Sequence, residues 1–394
     1  MISIVAASYV LMTGLLVATW RYRKFLARRV VTDPSYTPKA ALFVPVPTLA
    51  ASEVDRLEAL FHQDYPDYEV LFGVLTIRDS AYSRLVALCD RHRGRGRVVL
   101  SGPSTKCSDK IRNLLACYEA CHQASEVLVL MDADLAPDPM LLRRLVRPLV
   151  EPTVGAVTAH RWIACGEWSL AGTLAAMANA AGVVSVWLFS RVCGGVIAIR
   201  RDNFEWLDVP SLWSKVASED ITLCSLLAGR GLRIVQAENG LVLSSRTHDW
   251  RGYWALIVSQ LVMARVYAPT LWGQLLGFYV VTMSATGYGW IRGAEWMSGN
   301  EVSVAAKAAM LLPILFMIQG WMLIDGAQRL FARRGERVLL MTPAFMPVYV
   351  LAMAIGVAQI LVSAISNTIV VEGVRYRIDA PDRTSVERAP LSAI

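Results

Sequence analysis

Charge is spread so unevenly along these 394 residues that the chain cannot be one ordinary globular domain. Ile2–Trp20, Val266–Ile291, Ala308–Ile324 and Met341–Ser366 contain no Asp, Glu, Lys or Arg. Each is close to the roughly 17–25 residues a helix needs to cross the hydrocarbon core. Charged residues make up 18% of the chain, against about 25% in an ordinary soluble domain. With a mean hydropathy of +0.42, disordered, fibrous and purely soluble readings are excluded. A formal charge of +7 does not call for nucleic acid, because basic clusters at membrane edges give the same surplus.

Arg21, Arg23, Lys24, Arg28 and Arg29 follow the first apolar stretch and no basic residue precedes it, so a retained anchor is expected rather than a cleaved leader. Positive flanks stay cytoplasmic. The N-terminus is therefore expected outside, Arg329, Arg333, Arg334 and Arg337 inside, and the loop around Arg292, Glu295 and Glu301 outside. The expected division is an anchor over 1–21, a cytosolic domain over 36–265, membrane helices over 266–366 and a tail over 367–394. In the tail, Arg375, Arg377, Arg383 and Arg388 are balanced by Glu372, Asp379, Asp382 and Glu387, so charge assigns it to neither side.

Within the middle segment, Ala41–Val46, Tyr68–Val74, Val98–Leu100 and Val127–Met131 are short apolar runs that predict strands. Glu53–His62, Asp79–Arg91, Lys110–Gln123 and Asp138–Val150 have helical spacing. The alternation predicts an α/β fold with a doubly wound, mostly parallel sheet, whose ligands bind beyond the carboxyl ends of the strands. Cys89, Cys107, Cys117, Cys121, Cys165, Cys193 and Cys224 contain no CxxC pair and read as reduced, buried thiols.

The strand Val127–Met131 runs straight into Asp132-Ala133-Asp134. Residues i and i+2 of an extended segment point the same way, so both carboxylates face one side. That is a hard, oxygen-rich pair suited to Mg²⁺ or Mn²⁺. Taken alone, the pair could equally cap the next helix. It stands in a series, however: Gln63-Asp64-Tyr65-Pro66-Asp67-Tyr68, Lys110-Ile111-Arg112-Asn113, Cys193-Gly194-Gly195, Arg200-Arg201, Ser218-Glu219-Asp220 and Gln260 through Arg265. In that order, across about residues 40–270, the series resembles the membrane-bound inverting glycosyltransferases of family 2 and the related ceramide glucosyltransferases, including hopanoid-type lipid enzymes, which share the GT-A fold.

The resemblance implies roles. Asp132 and Asp134 would hold the metal, Asp132 also meeting the donor's ribose. Asp79, Lys110, Asn113, Gly194, Gly195 and Glu219 would line the nucleotide-sugar site, and Asp220 would be the catalytic base. Gln260 and Arg265 fall at the family's QxxRW box, but Leu261-Val262-Met263-Ala264 follows Gln260, so the Arg-Trp step is missing and Arg265 is the available cation. That departure argues against a processive polymerase. His160, His248 and the Trp-rich segments carry no assigned chemistry.

Trp168–Ser190 is also free of charge. A full crossing there would put Asp134 and Asp220 on opposite sides of the bilayer, where they could not act on one carbon. An interfacial or re-entrant helix over 168–190 is therefore expected. The expected activity is transfer of a sugar from a UDP-sugar to a membrane lipid hydroxyl, ceramide-, hopanoid- or carotenoid-like, with Mg²⁺ or Mn²⁺ and no nucleic acid partner. The alternatives are a processive polysaccharide synthase and a non-catalytic membrane scaffold or transporter that kept the fold. The sequence leaves the oligomeric state unknown.

Overall fold

The computed structural model describes residues 1–28, 35–46, 54–164, 169–244, 246–336, 346–371 and 373–388. Arg29, Arg337, Cys165 and Glu372, and the starts of the segments expected from Glu53, Trp168 and Met341, lie outside the described residues. Two compact units are present. One comprises Arg29–Ile163, Phe189–Arg246 and Asn367–Ile394; the other comprises Met1–Arg28, Ala164–Leu188 and Thr247–Ser366.

The first unit is built on an eight-stranded sheet. Its strands are β1 (Ala40–Pro45), β2 (Tyr68–Val74), β3 (Gly96–Leu100), β4 (Val127–Met131), β5 (Leu135–Ala136), β6 (Val154–Ile163), β7 (Val196–Arg200) and β8 (Arg233–Ser244). Their order is β3-β2-β1-β4-β7-β6-β8-β5. β1, β2, β3 and β4 pair in parallel, as the strand–helix alternation predicts, and β6 is parallel to β8. β7 runs antiparallel between β4 and β6. All of β1, β2 and β4 is buried, which accounts for their unbroken apolar sequences. The helix expected before β2 is a 3₁₀ turn, Asp55–His62. The one expected over Asp138–Val150 is an α-helix, Leu141–Val146, tightening into a 3₁₀ turn at Pro148, which has no amide hydrogen to continue the ladder.

The helix Asp109–Ala120 starts at Ser108, whose hydroxyl accepts from the Ile111 amide (3.3 Å), with Asp109 in the first turn, where the helix dipole favours an acid. Gly73 of β2 lets this helix close onto the sheet: a Cβ there would lie 2.8 Å from Asn113 Cβ. After residue 366 the chain forms a separate three-stranded antiparallel sheet, β9 (Thr368–Val371), β10 (Val374–Ala380) and β11 (Arg383–Glu387). The six described cysteines are free thiols.

The second unit is helical. Among the described residues, four helices are long and apolar enough to cross a membrane: Ile2–Leu26, Leu170–Leu188, Val304–Arg333 and Met346–Ile365. Pro269–Met297 is 29 residues long but is not among them, because Gln274, the glycines, Arg292 and Glu295 dilute its apolar sequence. Some polar side chains inside the bundle are satisfied internally, as low polarity favours: the Tyr349 hydroxyl donates to Gln319 Oε1 (2.8 Å) and Thr286 to the Thr282 carbonyl (2.8 Å).

Candidate active site

Strand direction decides where polar groups can gather. β1 to β4 all end at one edge of the sheet, and the antiparallel β7 begins there, with Val196 paired to Met131. β6 and β8 also end at this edge, Ile163 beside Ser244. So Asp132 and Asp134, Gly194 and Gly195, Arg161 and Ser244 are brought together although they lie far apart in sequence.

The Asp132 amide donates to the Gly195 carbonyl (2.9 Å), tying the acidic turn to the glycine pair. Arg161 forms an ion pair with Asp132 and lies 3.3 Å from Asp134 Oδ1, so one guanidinium faces both carboxylates. Ser244 donates to the other Asp134 oxygen at 2.5 Å. Lys110 enters from the first turn of Asp109–Ala120. Its ammonium is 2.7 Å from Asp132 Oδ1 and 2.5 Å from Glu219 Oε1, and donates to the Gly194 carbonyl at 2.9 Å.

Asp220 closes the group. One of its oxygens accepts from the Gly194 amide (3.0 Å), the other from the Ser218 hydroxyl (2.6 Å) and the Ile221 amide (2.8 Å). A Cβ on residue 194 would lie 2.7 Å from Glu219 Oε1 and 3.0 Å from Asp220 Oδ2, so a larger residue would have to displace these carboxylates. Glu219 is 5% exposed and lies beneath Lys110, whereas Asp220 is half-buried.

Burial acts against each of these charges, and the outcome depends on the neighbours. It works against charge on Lys110, but Asp132 and Glu219 outweigh it and raise the pKa; Asp134 and Asp132 do the same for the buried Arg161. Both cations stay protonated. Burial likewise opposes ionisation of Asp134, yet Arg161, the Ser244 hydroxyl and Arg246 hold it below the usual carboxylate range. Glu219 is pushed up to about 7 by burial, with Lys110 opposing the rise and Asp220 and Asp132 adding to it.

Other expected site residues lie elsewhere. Asn113 is fully buried; its Oδ1 accepts from Ser101 (2.5 Å), and its Nδ2 has no partner. Asp79 sits in the turn after β2, accepting from the Ala81 amide (2.9 Å), and burial raises its pKa. Gln260 and Arg265 belong to the helical unit. Gln260 is exposed, and the Arg265 guanidinium donates to the carbonyls of Ser363 (2.8 Å) and Ser366 (2.7 Å). A second group of donor atoms, from Glu58, His62 and His92, converges within 4.8 Å, and Arg91 pairs with the Glu58 carboxylate at 2.8 Å.

The model of glycosyl transferase family 21 matches residues 2–202, just over half of the 394. The chain belongs to glycosyl transferase family 21. The expected kinship with nucleotide-sugar glycosyltransferases of GT-A type is supported at that level, and the match stops short of Asp220. Among solved structures, this glycosyltransferase is similar to the mannosyltransferase PcManGT of Pyrobaculum calidifontis, determined with GDP-Man and Mn²⁺. The TM-score is 0.50 at 18% identity, over 92% of this chain and 97% of the other, a likeness of fold. Glucosyl-3-phosphoglycerate synthase from Mycobacterium tuberculosis, in complex with Mn²⁺, UDP-glucose and phosphoglyceric acid, matches at a TM-score of 0.39 and 19% identity, over 59% and 83% of the two chains. That likeness is too slight to argue from.

Arg161 and Ser244 are members of the glycosyltransferase's polar cluster that motif reading passes over. A charged side chain near the end of Val154 through Ile163, a run that is apolar at most positions, is the available signal for Arg161. For Ser244 no local signal exists, because its partner Asp134 is 110 residues away.

Proposed function

We propose that this enzyme is a metal-dependent, inverting glycosyltransferase that moves a sugar from a UDP-sugar to the hydroxyl of a membrane lipid at the cytoplasmic face. The observation that carries the reading is the convergence of Lys110, Asp132, Asp134 and Asp220 at one sheet edge, in a chain with four helices apolar enough for a membrane. A divalent ion fits the acidic pair: one cationic group, the Arg161 guanidinium, already faces an oxygen from each aspartate. Asp132 and Asp134 would hold Mg²⁺ or Mn²⁺, which when bound offsets the charge that builds on a departing diphosphate.

The chain's own residues do the rest. Lys110, protonated and fixed by three oxygens, offers a positive charge beside the same leaving group. Asp220 is the more open of the two acids at the start of Glu219–Gly229, and three donors orient its carboxylate. The acceptor oxygen forms its bond to the anomeric carbon as the carbon–diphosphate bond breaks on the opposite face, and the hydroxyl proton passes to Asp220. Glu219, lying under Lys110, fixes the position of that ammonium.

The test is nucleotide release by the purified full-length protein with a lipid-alcohol extract, comparing UDP- and GDP-sugars with Mn²⁺, with Mg²⁺ and with a chelator. Turnover of a UDP-sugar that stops on chelation is expected, and Asp220→Asn should lower kcat by about 10²–10⁴-fold. Equal turnover in Asp220→Asn removes the base assignment. Release from GDP-sugars alone removes the UDP assignment.

A further inference from the structure

The sheet that follows residue 366 is chemically tied to the helix that carries Lys110. β10 alternates strictly, with Arg375, Arg377 and Asp379 exposed and Tyr376 and Ile378 at 2% and 0% exposure. Ile369 of β9 and Thr384 of β11 are also buried. A single three-stranded sheet cannot cover its own face, so side chains this deeply buried mark a sheet seated on the rest of its unit.

Three polar contacts, made by two tail residues, fix the seat. The Asp109 backbone amide donates to the Tyr376 hydroxyl (3.3 Å). Arg388 pairs with the Asp109 carboxylate and donates to the Ser104 carbonyl (3.3 Å), spanning the loop before the helix. Asp109 is the first residue of the helix, and its amide has no acceptor within the helix. The next residue is Lys110, whose ammonium meets Asp132, Glu219 and Gly194.

We propose that the C-terminal sheet is a positioning element of the active site: through Tyr376 and Arg388 it fixes Asp109, and so sets the first helical turn that aims Lys110 at the donor's diphosphate. The assignment of Lys110 to the diphosphate rests on the function proposed above. The mechanical part, that the tail orders residues 104–113, does not. Tyr376 and Arg388 touch no reacting atom; they act through Asp109.

The experiment uses the full chain in detergent or nanodiscs, with Tyr376→Phe, which removes one hydroxyl and keeps the packing, Arg388→Ala, and Arg388→Lys as the conservative rescue. Hydrogen exchange of the amides from Ser104 to Asn113 should quicken in Tyr376→Phe and Arg388→Ala while the sheet strands keep their protection. With the UDP-sugar donor, KM should rise about tenfold in Arg388→Ala with a smaller change in kcat, the pattern of lost binding, and Arg388→Lys should recover most of it. In a Lys110→Ala background Arg388→Ala should add almost nothing, because the two act in series. Unchanged exchange at 104–113 in both variants overturns the proposal. A KM rise just as large in the Lys110→Ala background overturns the route through Lys110. If the wild type turns over no nucleotide sugar, the proposed function fails while hydrogen exchange still decides whether the tail orders the helix.

Discussion

At the scale of single residues, Arg161 shows how charge is balanced at the acidic turn. Its guanidinium and the carboxylates of Asp132 and Asp134 are all less than a fifth exposed (18%, 13% and 11%). Removing one partner of such a group leaves charge in a poor solvent, which costs about 3–5 kcal/mol. Arg161→Ala should therefore melt well below the wild type without added metal. If the aspartates bind a divalent ion, that ion replaces the missing charge, so Mn²⁺ should raise the melting temperature further in Arg161→Ala than in the wild type. Thermal unfolding with Mn²⁺ or chelator measures both, and an equal Mn²⁺ shift in the two proteins would place the ion elsewhere. The contrast with Asp132, Asp134 and Asp220 shows what sequence makes legible. Those acids stand directly after a buried strand or at a helix start, where local pattern announces them. Arg161 and Ser244 acquire meaning only from strand pairing, which a linear reading does not contain. His160 is a similar case: β6 carries it into the interior, 6% exposed with neither ring nitrogen partnered, and burial, helped by Arg161, lowers its pKa to about 3.

At the scale of elements, β1, β2 and β4 are readable because burial on both faces leaves an apolar run with sharp ends. β6 and β8 carry no such signature. Thr158, His160 and Arg161 interrupt β6, and β8 shifts register against it, so no clean period survives. The tail strands escaped because alternating charge and apolar residues at the end of a chain also suit a solvated segment. One glycine controls an element on which the site depends. A Cβ on Gly73 would lie 2.8 Å from both Asn113 Cβ and the Asn113 carbonyl oxygen and 3.1 Å from Cys117 Sγ. Backbone cannot yield as a flexible side-chain tip can, so Gly73→Ala should push Asp109–Ala120 off the sheet at a cost of about 1–3 kcal/mol. Because the same helix carries Lys110, donor KM should rise together with the loss of stability. A variant that is destabilised with unchanged KM would show that the helix tolerates the shift without moving its first turn.

At the scale of the whole molecule, strand pairing constrains how the chain threads a membrane. β6 precedes Leu170–Leu188 and β7 follows it, yet the two are neighbours in one sheet. A chain that leaves a sheet and rejoins it crosses any bilayer an even number of times, none included, so this one helix is not by itself a full crossing, despite a composition adequate for one. The tail sheet likewise meets Asp109, so the chain has returned to the sheet-bearing unit by residue 367. Arg23 pairs with Asp325, and Arg333 donates to the Leu26 carbonyl (2.7 Å). Near the opposite end of the same helices, the Tyr9 hydroxyl donates to the Ala308 carbonyl (2.8 Å). Ile2–Leu26 and Val304–Arg333 thus run in the same direction, with Arg333 at the basic end of the first helix. In Pro269–Met297 the Thr282 and Thr286 hydroxyls bond to the helix's own carbonyls. Met346–Ile365 ends beside the start of that helix, with Trp272 Nε1 2.9 Å from Ser363 Oγ and Arg265 on the Ser363 and Ser366 carbonyls. The tail, which charge alone could assign to neither side, lies on the side of the sheet through its own contacts with Asp109. Single cysteines at Asp202 and Asp382, both on the sheet-bearing unit, should react with an impermeant reagent only after the membrane is opened, whereas one at Ile2 should react in sealed cells. Labelling of the Asp382 position from the face opposite to Asp202 would break the parity, and with it the contact between the tail and Asp109 on which the positioning of Lys110 depends.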